Sequence, residues 1–279
     1  MILGDLPALR DSLAAHGLTA KKAFGQHFLL DLNVTRKIAR LAGSMDGRAV
    51  IEVGPGPGGL TRALLEAGAK VIAVEKDRRF LPLLDELAVA AAGALAVIEA
   101  DALKVDESAL LAEHAPGLEA SIVSNLPYNV GTALLLKWLT GPFRPTSMTL
   151  MFQKEVAERI VAKAGDEAYG RLSVISRALC QAELVMDLPA RAFTPPPKVA
   201  SAVVRLTPLP HRPSKELIRA LETVTAAAFG QRRKMLRSSL RVLGGEALCI
   251  EAGLDPDNRA EVVTIEGFLA LAQTLSARS

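Results

Sequence analysis

The stretch Val50-Ile-Glu-Val-Gly-Pro-Gly-Pro-Gly-Gly-Leu-Thr61 decides the fold. A short β-branched run breaks into glycines and prolines, and a helix-compatible sequence follows. The pattern reads as a buried strand, a tight turn and the start of a helix. Glycine at such a turn adopts backbone angles closed to other residues and lets a ligand approach the main chain. Gly54, Gly56 and Gly59 satisfy G-x-G-x-x-G, the dinucleotide fingerprint. Glu75 ends the next apolar run about 20 residues on, where a carboxylate takes ribose hydroxyls. A nucleotide-like ligand is expected, and a nicotinamide-dependent oxidoreductase stays open.

Outward from this loop, short β-rich runs alternate with helical stretches. Strands are expected at Ala49–Val53, Val71–Glu75, Ala94–Glu99, Ala120–Ser124 and Met148–Phe152, then at Ala182–Met186 and Ala202–Leu206. Most are continuous apolar runs, as strands buried on both faces of a parallel sheet require. Helices are expected at Leu60–Ala67, Arg78–Ala91 and Thr132–Thr140. Alternating units of this kind build an open, doubly wound, Rossmann-like α/β sheet, whose ligands sit at the carboxyl ends of the strands. Three prolines in Thr207–Ser214 mark a linker. Beyond it, Lys215–Ala228, Gln231–Leu243 and Ile265–Leu275 read as helices. The expected organisation is a catalytic domain over residues 1–207, with an N-terminal helical extension, and a small all-helical domain over 208–279.

The 279 residues, half of them hydrophobic, suffice for one large domain and a small one. No apolar run approaches the roughly 18 residues of a membrane span. The N-terminus carries Asp5 and Asp11 and reads as a short amphipathic helix rather than a targeting segment. Cys180 and Cys249 lack a CxxC partner or a nearby histidine, so both read as buried reduced thiols and no metal site is expected. A soluble cytoplasmic protein fits. The net charge is only +3, but residues 191–241 carry 11 Lys/Arg against Glu216 and Glu222. A surplus this uneven is either a solvated helical face or the footprint of a polyanion partner.

Two further loops carry chemistry. Asp101 follows the third strand, as a helix N-cap or as an acceptor for an adenine amine. With Glu52 in Glu-x-Gly-x-Gly and Glu75 after strand two, it resembles the S-adenosylmethionine-dependent methyltransferases. Asn125-Leu-Pro-Tyr-Asn129 follows the fourth strand, at the ligand-binding edge. A plain turn accounts for Asn and Pro, but not for an aromatic and an amide together in the crevice. Asn-Leu-Pro-Tyr resembles the [D/N]-[I/L/P]-P-[Y/F] signature of amino methyltransferases. An adenine amine is a poor nucleophile because its lone pair is delocalised into the ring. Accepting its two N–H bonds, with the Asn125 side-chain oxygen and the Pro127 carbonyl, favours a more tetrahedral nitrogen. Tyr128 offers a flat face for an unstacked base.

The motifs then align over most of the chain. Lys22-Ala-Phe-Gly-Gln-His-Phe-Leu-Leu-Asp31, Glu52–Thr61, Val74–Asp77, Asp101–Leu103 and Asn125–Asn129 come in order. Met151–Glu155, Tyr169–Ser173, Phe193-Thr-Pro-Pro-Pro-Lys-Val199 and Phe229-Gly-Gln-Arg-Arg-Lys-Met-Leu236 follow. In this order they resemble the KsgA/RsmA family of 16S rRNA adenine N6,N6-dimethyltransferases. The resemblance implies S-adenosyl-L-methionine as methyl donor, and as substrate two adjacent adenosines in a hairpin loop near the 3′ end of 16S rRNA. It implies action on a late precursor of the small (30S) subunit, in the cytoplasm. It assigns His27, Leu29, Glu52, Gly54, Gly56, Glu75, Lys76, Asp101, Ala102 and Asn125 to the cofactor. Phe193 is assigned to stack on the target base opposite Tyr128, against a reading as a core aromatic. Arg232, Arg233 and Lys234 on one helical turn, with Arg237 and Arg241, are assigned to RNA phosphates. Two departures stand out: His27 where many relatives have Asn, both able to donate a hydrogen bond, and Ala100 where Gly is common.

Three other readings compete: a nicotinamide-dependent dehydrogenase, a non-catalytic small-subunit assembly factor, and an Erm-like methyltransferase of large-subunit rRNA. The Phe229–Leu236 motif favours the small subunit. No long exposed apolar stripe calls for a second copy, so a monomer is expected.

Overall fold

The computed structural model of the chain describes residues 4, 6–20 and 26–278. In chain order the strands are β1 (Phe28–Leu29), β2 (Ala49–Val53), β3 (Lys70–Glu75), β4 (Leu95–Glu99), β5 (Ala120–Asn125), β6 (Met148–Gln153), β7 (Cys180–Leu188), β8 (Phe193–Thr194) and β9 (Ser201–Pro208). The helices are α1 (Leu9–Ala15), α2 (Leu32–Leu41), α3 (Gly59–Glu66), α4 (Leu81–Ala90), α5 (Glu107–His114), α6 (Gly131–Thr140), α7 (Lys154–Val161), α8 (Arg171–Leu179), α9 (Lys215–Gly230), α10 (Leu236–Ser239), α11 (Gly245–Glu251) and α12 (Ile265–Ala277).

Seven strands form one sheet in the order β4-β3-β2-β5-β6-β9-β7. The pairs β4–β3, β3–β2, β2–β5 and β5–β6 are parallel. Every residue of β2 is buried, and β3, β5 and β6 each leave only a terminal residue partly exposed. Each Val, Ile or Leu so buried contributes about 1.5–3 kcal/mol, which is why these segments read as unbroken apolar runs. Strand order reverses between β2 and β5. The loops that follow these two strands therefore flank the crevice where a doubly wound sheet takes its ligands. A second, two-stranded antiparallel sheet pairs Phe28 with Thr194 and Leu29 with Phe193.

Two compact units form: residues 1–157 with 184–205, and residues 158–183 with 206–279. The second unit takes in residues 158–183, which the expected boundary at 207 left in the catalytic domain. Tyr169, Val174 and Ala178 pack in one apolar cluster with Leu221, Val224 and Phe268, which explains the grouping. The Tyr169 hydroxyl donates to the Val263 carbonyl at 2.8 Å. Phe229 lies edge-on to Tyr169 and stacks on Phe268. Tyr169 is thus a core residue of the helical unit, and the partly buried Phe229 packs against that core.

The expected helix Gln231–Leu243 does not form. Residues 231–233 make a turn, with the Lys234 N–H on the Gln231 carbonyl at 2.8 Å. Met235 bridges Arg259 in antiparallel fashion, and the Leu236 N–H bonds the Asn258 carbonyl at 2.8 Å. Main-chain pairing to a distant segment thus displaces the i→i−4 ladder, and only α10 and one 3-10 turn (Arg241–Leu243) remain. Arg232, Arg233 and Lys234 do not share a helical turn. No helix among the described residues is long and apolar enough to cross a membrane.

Candidate active site

A cavity of about 190 Å³ opens at the carboxyl ends of β2, β3, β4 and β5. Every residue that the sequence assigns to the cofactor lines it, together with Pro127 and Tyr128. Of the Lys22–Asp31 motif, residues 22–25 lie outside the described residues.

The glycine loop leaves β2 with Gly54, Gly56 and Gly58 all at positive φ (67°, 53° and 80°), a region that disfavours side chains. Glu75, at the end of β3, grips the loop from below. Its Oε2 accepts the Gly56 N–H at 3.0 Å and its Oε1 the Asp77 N–H at 2.7 Å. Burial pushes its carboxyl above the ordinary range, these two bonds opposing. Each oxygen keeps a lone pair for a ligand hydroxyl. Asp77 is occupied elsewhere, by Arg79 and by the Gln26 amide at 2.9 Å.

Asp101 stands in the loop after β4. Its Oδ2 receives the Lys76 ammonium at 2.9 Å and its Oδ1 the Leu103 N–H at 3.1 Å. The Lys76 hydrogen bond, helped by the one from Leu103, holds the carboxyl below its ordinary range. The N-cap of α5 is Asp106, which accepts from Ser108 and Ala109, so the N-cap reading of Asp101 is withdrawn. Sequence reasoning passed over what braces this loop. Lys137 of α6 reaches two of its carbonyls and Glu107, and Trp138 donates to the same Glu107. The available signal was a single lysine in the otherwise apolar Ala133–Leu139.

Glu52 is fully buried, and its Oε2 meets no hydrogen-bond donor among the described residues. Burial pushes its carboxyl up to about 8; the Thr61 hydroxyl opposes the shift and the charge of Glu75 adds to it. In the unfolded chain this group ionises near about 4.3. Between the two values the folded state binds more protons, so stability falls as pH rises through that window. Glu52→Gln cannot ionise. Its thermal midpoint is expected to match wild type at acid pH and to exceed it above pH 8. Melting curves of both proteins from pH 5 to 9 test this, and parallel curves would refute it.

The loop after β5 is held differently from expectation. The Asn125 amide nitrogen donates to the His27 carbonyl at 3.3 Å. Only the –NH2 end can face a carbonyl, so Oδ1 is the end left for a substrate. The Pro127 carbonyl already accepts the Val130 and Gly131 N–H groups, both at 3.1 Å, where α6 begins. Its two lone pairs are used, which removes it as the second acceptor for an amine. The carbonyl one residue earlier, of Leu126, takes no part in that turn. Tyr128 shares a 2.6 Å hydrogen bond with the Ser201 hydroxyl, and burial raises its phenol above the usual value. The His27 ring stacks on Tyr128 with centroids 5.5 Å apart. Its Nδ1 lies 2.8 Å from the Pro195 carbonyl, so that nitrogen carries the proton.

Phe193 departs from expectation. It is 3% exposed, pairs with Leu29, sits in the apolar cluster with Leu188 and Val203, and does not line the cavity. It is a core aromatic here. Among the basic residues, Arg232 binds Glu261 and donates to the Glu167 carbonyl at 2.7 Å, and Arg237 pairs with Asp257. All five basic residues are exposed, and these two also pair within the helical unit.

The family model Ribosomal RNA adenine dimethylase matches residues 17–277. The Ribosomal RNA small subunit methyltransferase A of Phenylobacterium zucineum is 68% identical over 278 residues, covering 100% of this chain and 96% of the relative. That of Caulobacter vibrioides is 69% identical over 254 residues, covering 91% and 96%. A dimethyladenosine transferase structure from Plasmodium falciparum has a TM-score of 0.72 at 26% identity, over 88% of this chain and 96% of that one. The 23S rRNA methyltransferase ErmE has a TM-score of 0.67 at 27% identity, over 89% and 99%. The dehydrogenase reading falls with these matches, and the chain belongs to the ribosomal RNA adenine dimethylase family.

Proposed function

We propose that the protein dimethylates the N6 amine of two adjacent adenosines in a hairpin loop near the 3′ end of 16S rRNA. It uses S-adenosylmethionine, and it works as a cytoplasmic monomer on a precursor of the small subunit. The carrying observation is the Asn125 amide, locked by the His27 carbonyl with Oδ1 left for a target amine. Relatives named for the small subunit are 68–69% identical, against 27% for the large-subunit enzyme ErmE, which supports the substrate.

The cavity fits the donor. The unpartnered Glu52 oxygen offers an acceptor to a cationic or hydroxyl-bearing ligand, Glu75 suits a ribose, and Asp101 suits an adenine amine. S-adenosylmethionine supplies a methyl group on a sulfonium that already carries positive charge. Asn125 Oδ1 and the Leu126 carbonyl accept the amine's N–H bonds and aim its lone pair. Tyr128, held by Ser201, supports the base. The task is mainly alignment, so no strong general base is needed.

The test is methyl transfer from radiolabelled S-adenosylmethionine to small subunits lacking this modification, followed by nucleoside separation. Label in dimethyladenosine is expected. Label only with large subunits would move the substrate, and binding of small subunits without label would favour an assembly factor. Phosphate contacts are proposed for Arg233, Lys234 and Arg241. Replacing Arg233 and Lys234 by Ser is expected to lower the slope of log K against log[salt] by roughly 1.5–2. An unchanged slope in a binding titration would remove them from the RNA site.

A further inference from the structure

We infer that Lys137, which does not line the cavity, is a positioning residue that sets its specificity for an adenine ring. The inference rests on the reading of this cavity as an S-adenosylmethionine site. An ammonium group has three N–H donors, and three acceptors meet them here. They are the Ala102 carbonyl at 2.8 Å, the Val105 carbonyl at 2.7 Å and Glu107 Oε1 at 2.7 Å. The same Oε1 takes the Trp138 indole N–H at 2.7 Å. The Glu107 side chain is 4% exposed and that of Lys137 25%, so the cluster is largely shielded from water.

Residues 100–106, between β4 and α5, form neither helix nor strand, so their shape depends on contacts of this kind. The peptide joining Ala102 to Leu103 is held at both ends. Its oxygen is bound by Lys137, and its N–H is bound by Asp101 Oδ1 at 3.1 Å. Lys137 thereby fixes the plane of that peptide, and through its N–H the carboxylate of Asp101, which does line the cavity. Asp101 accepts from an amine and repels a carbonyl, so its aim decides between adenine and a 6-oxo purine. Lys137 also ties this loop to α6, the helix that starts directly after the Asn125–Asn129 loop.

The test is calorimetric titration of the full chain with S-adenosylhomocysteine and with S-inosylhomocysteine, in which a carbonyl replaces the purine amine. Lys137→Met alone strands a buried carboxylate and two carbonyls. The decisive variant is therefore Lys137→Met with Glu107→Gln, which leaves no unpaired charge and keeps an acceptor for the Trp138 indole. Wild type is expected to prefer the adenosyl compound by more than about tenfold. The double variant is expected to bind the adenosyl compound about tenfold more weakly and the inosyl compound within about twofold of wild type. Glu107→Gln alone, which keeps the lysine, retains the preference. An equal loss for both ligands, as general loosening would give, overturns the inference, and so does an unchanged preference. Absence of any wild-type binding would overturn the cofactor reading itself, and this inference with it.

Discussion

Asn125→Ala is expected to lower the single-turnover rate of methyl transfer by at least about a hundredfold, the scale seen when one preorganised polar contact to a reacting group is removed. The variant loses Oδ1, the acceptor that a target N–H needs, and nothing nearby replaces it, because the Pro127 carbonyl is committed to Val130 and Gly131. Affinity for S-adenosylhomocysteine is expected to fall far less, since Glu52, Glu75 and Asp101 remain. Asn125→Asp is not a rescue. It keeps an oxygen for the substrate but turns another towards the His27 carbonyl, where the amide now donates at 3.3 Å. Repulsion there would swing the side chain away, and its rate is expected to lie near that of the alanine variant. A rate within tenfold of wild type for Asn125→Ala would remove the amide from the chemistry.

Gly59→Ala should produce the largest stability loss of any single methyl added to the glycine loop. A Cβ at this position would lie 2.6 Å from the Leu29 carbonyl oxygen and 3.0 Å from Leu9 Cδ1. A leucine methyl can rotate away, but a backbone oxygen cannot. Leu29 is in β1, which is paired to β8 through Phe193, so relief requires the two-stranded sheet to move off the start of α3. Overpacking of this kind costs about 1–3 kcal/mol. The melting midpoint should drop by about 2–4 °C for each of these. Cofactor affinity should fall with it, because Leu29 and Gly59 both line the cavity. Gly230→Ala is the control: it ends α9 with nothing within 4 Å, so no loss is expected. Equal midpoints for the two variants would refute the clash.

The sheet was legible because parallel strands buried on both faces must be apolar throughout, and Ala49–Val53, Lys70–Glu75 and Ala120–Asn125 are nearly so. The strands β1 and β8 were not, since two residues are too few to show a period. Gln231–Leu243 carries helix-compatible spacing, yet its main chain pairs with Asn258 and Arg259, contacts that no local pattern encodes. Phe193 shows the same limit from the other side: an aromatic beside a proline turn looks identical in sequence whether it faces a base or a core. The cavity's first ring of residues was readable from motif spacing at the strand ends. Its supports, Lys137, Glu107, Ser201 and the Pro195 carbonyl, come from far along the chain.

The hold on Asn125 is made by a main-chain carbonyl, and this has an evolutionary consequence. Every amino acid at position 27 carries that carbonyl, so the grip on the amide is indifferent to which side chain evolves there. An Asn in place of His27 would change what faces Tyr128 and Pro195 but not what orients Asn125. The position is thereby free to drift, and to tune how the enzyme meets its ligands, without putting its chemistry at risk.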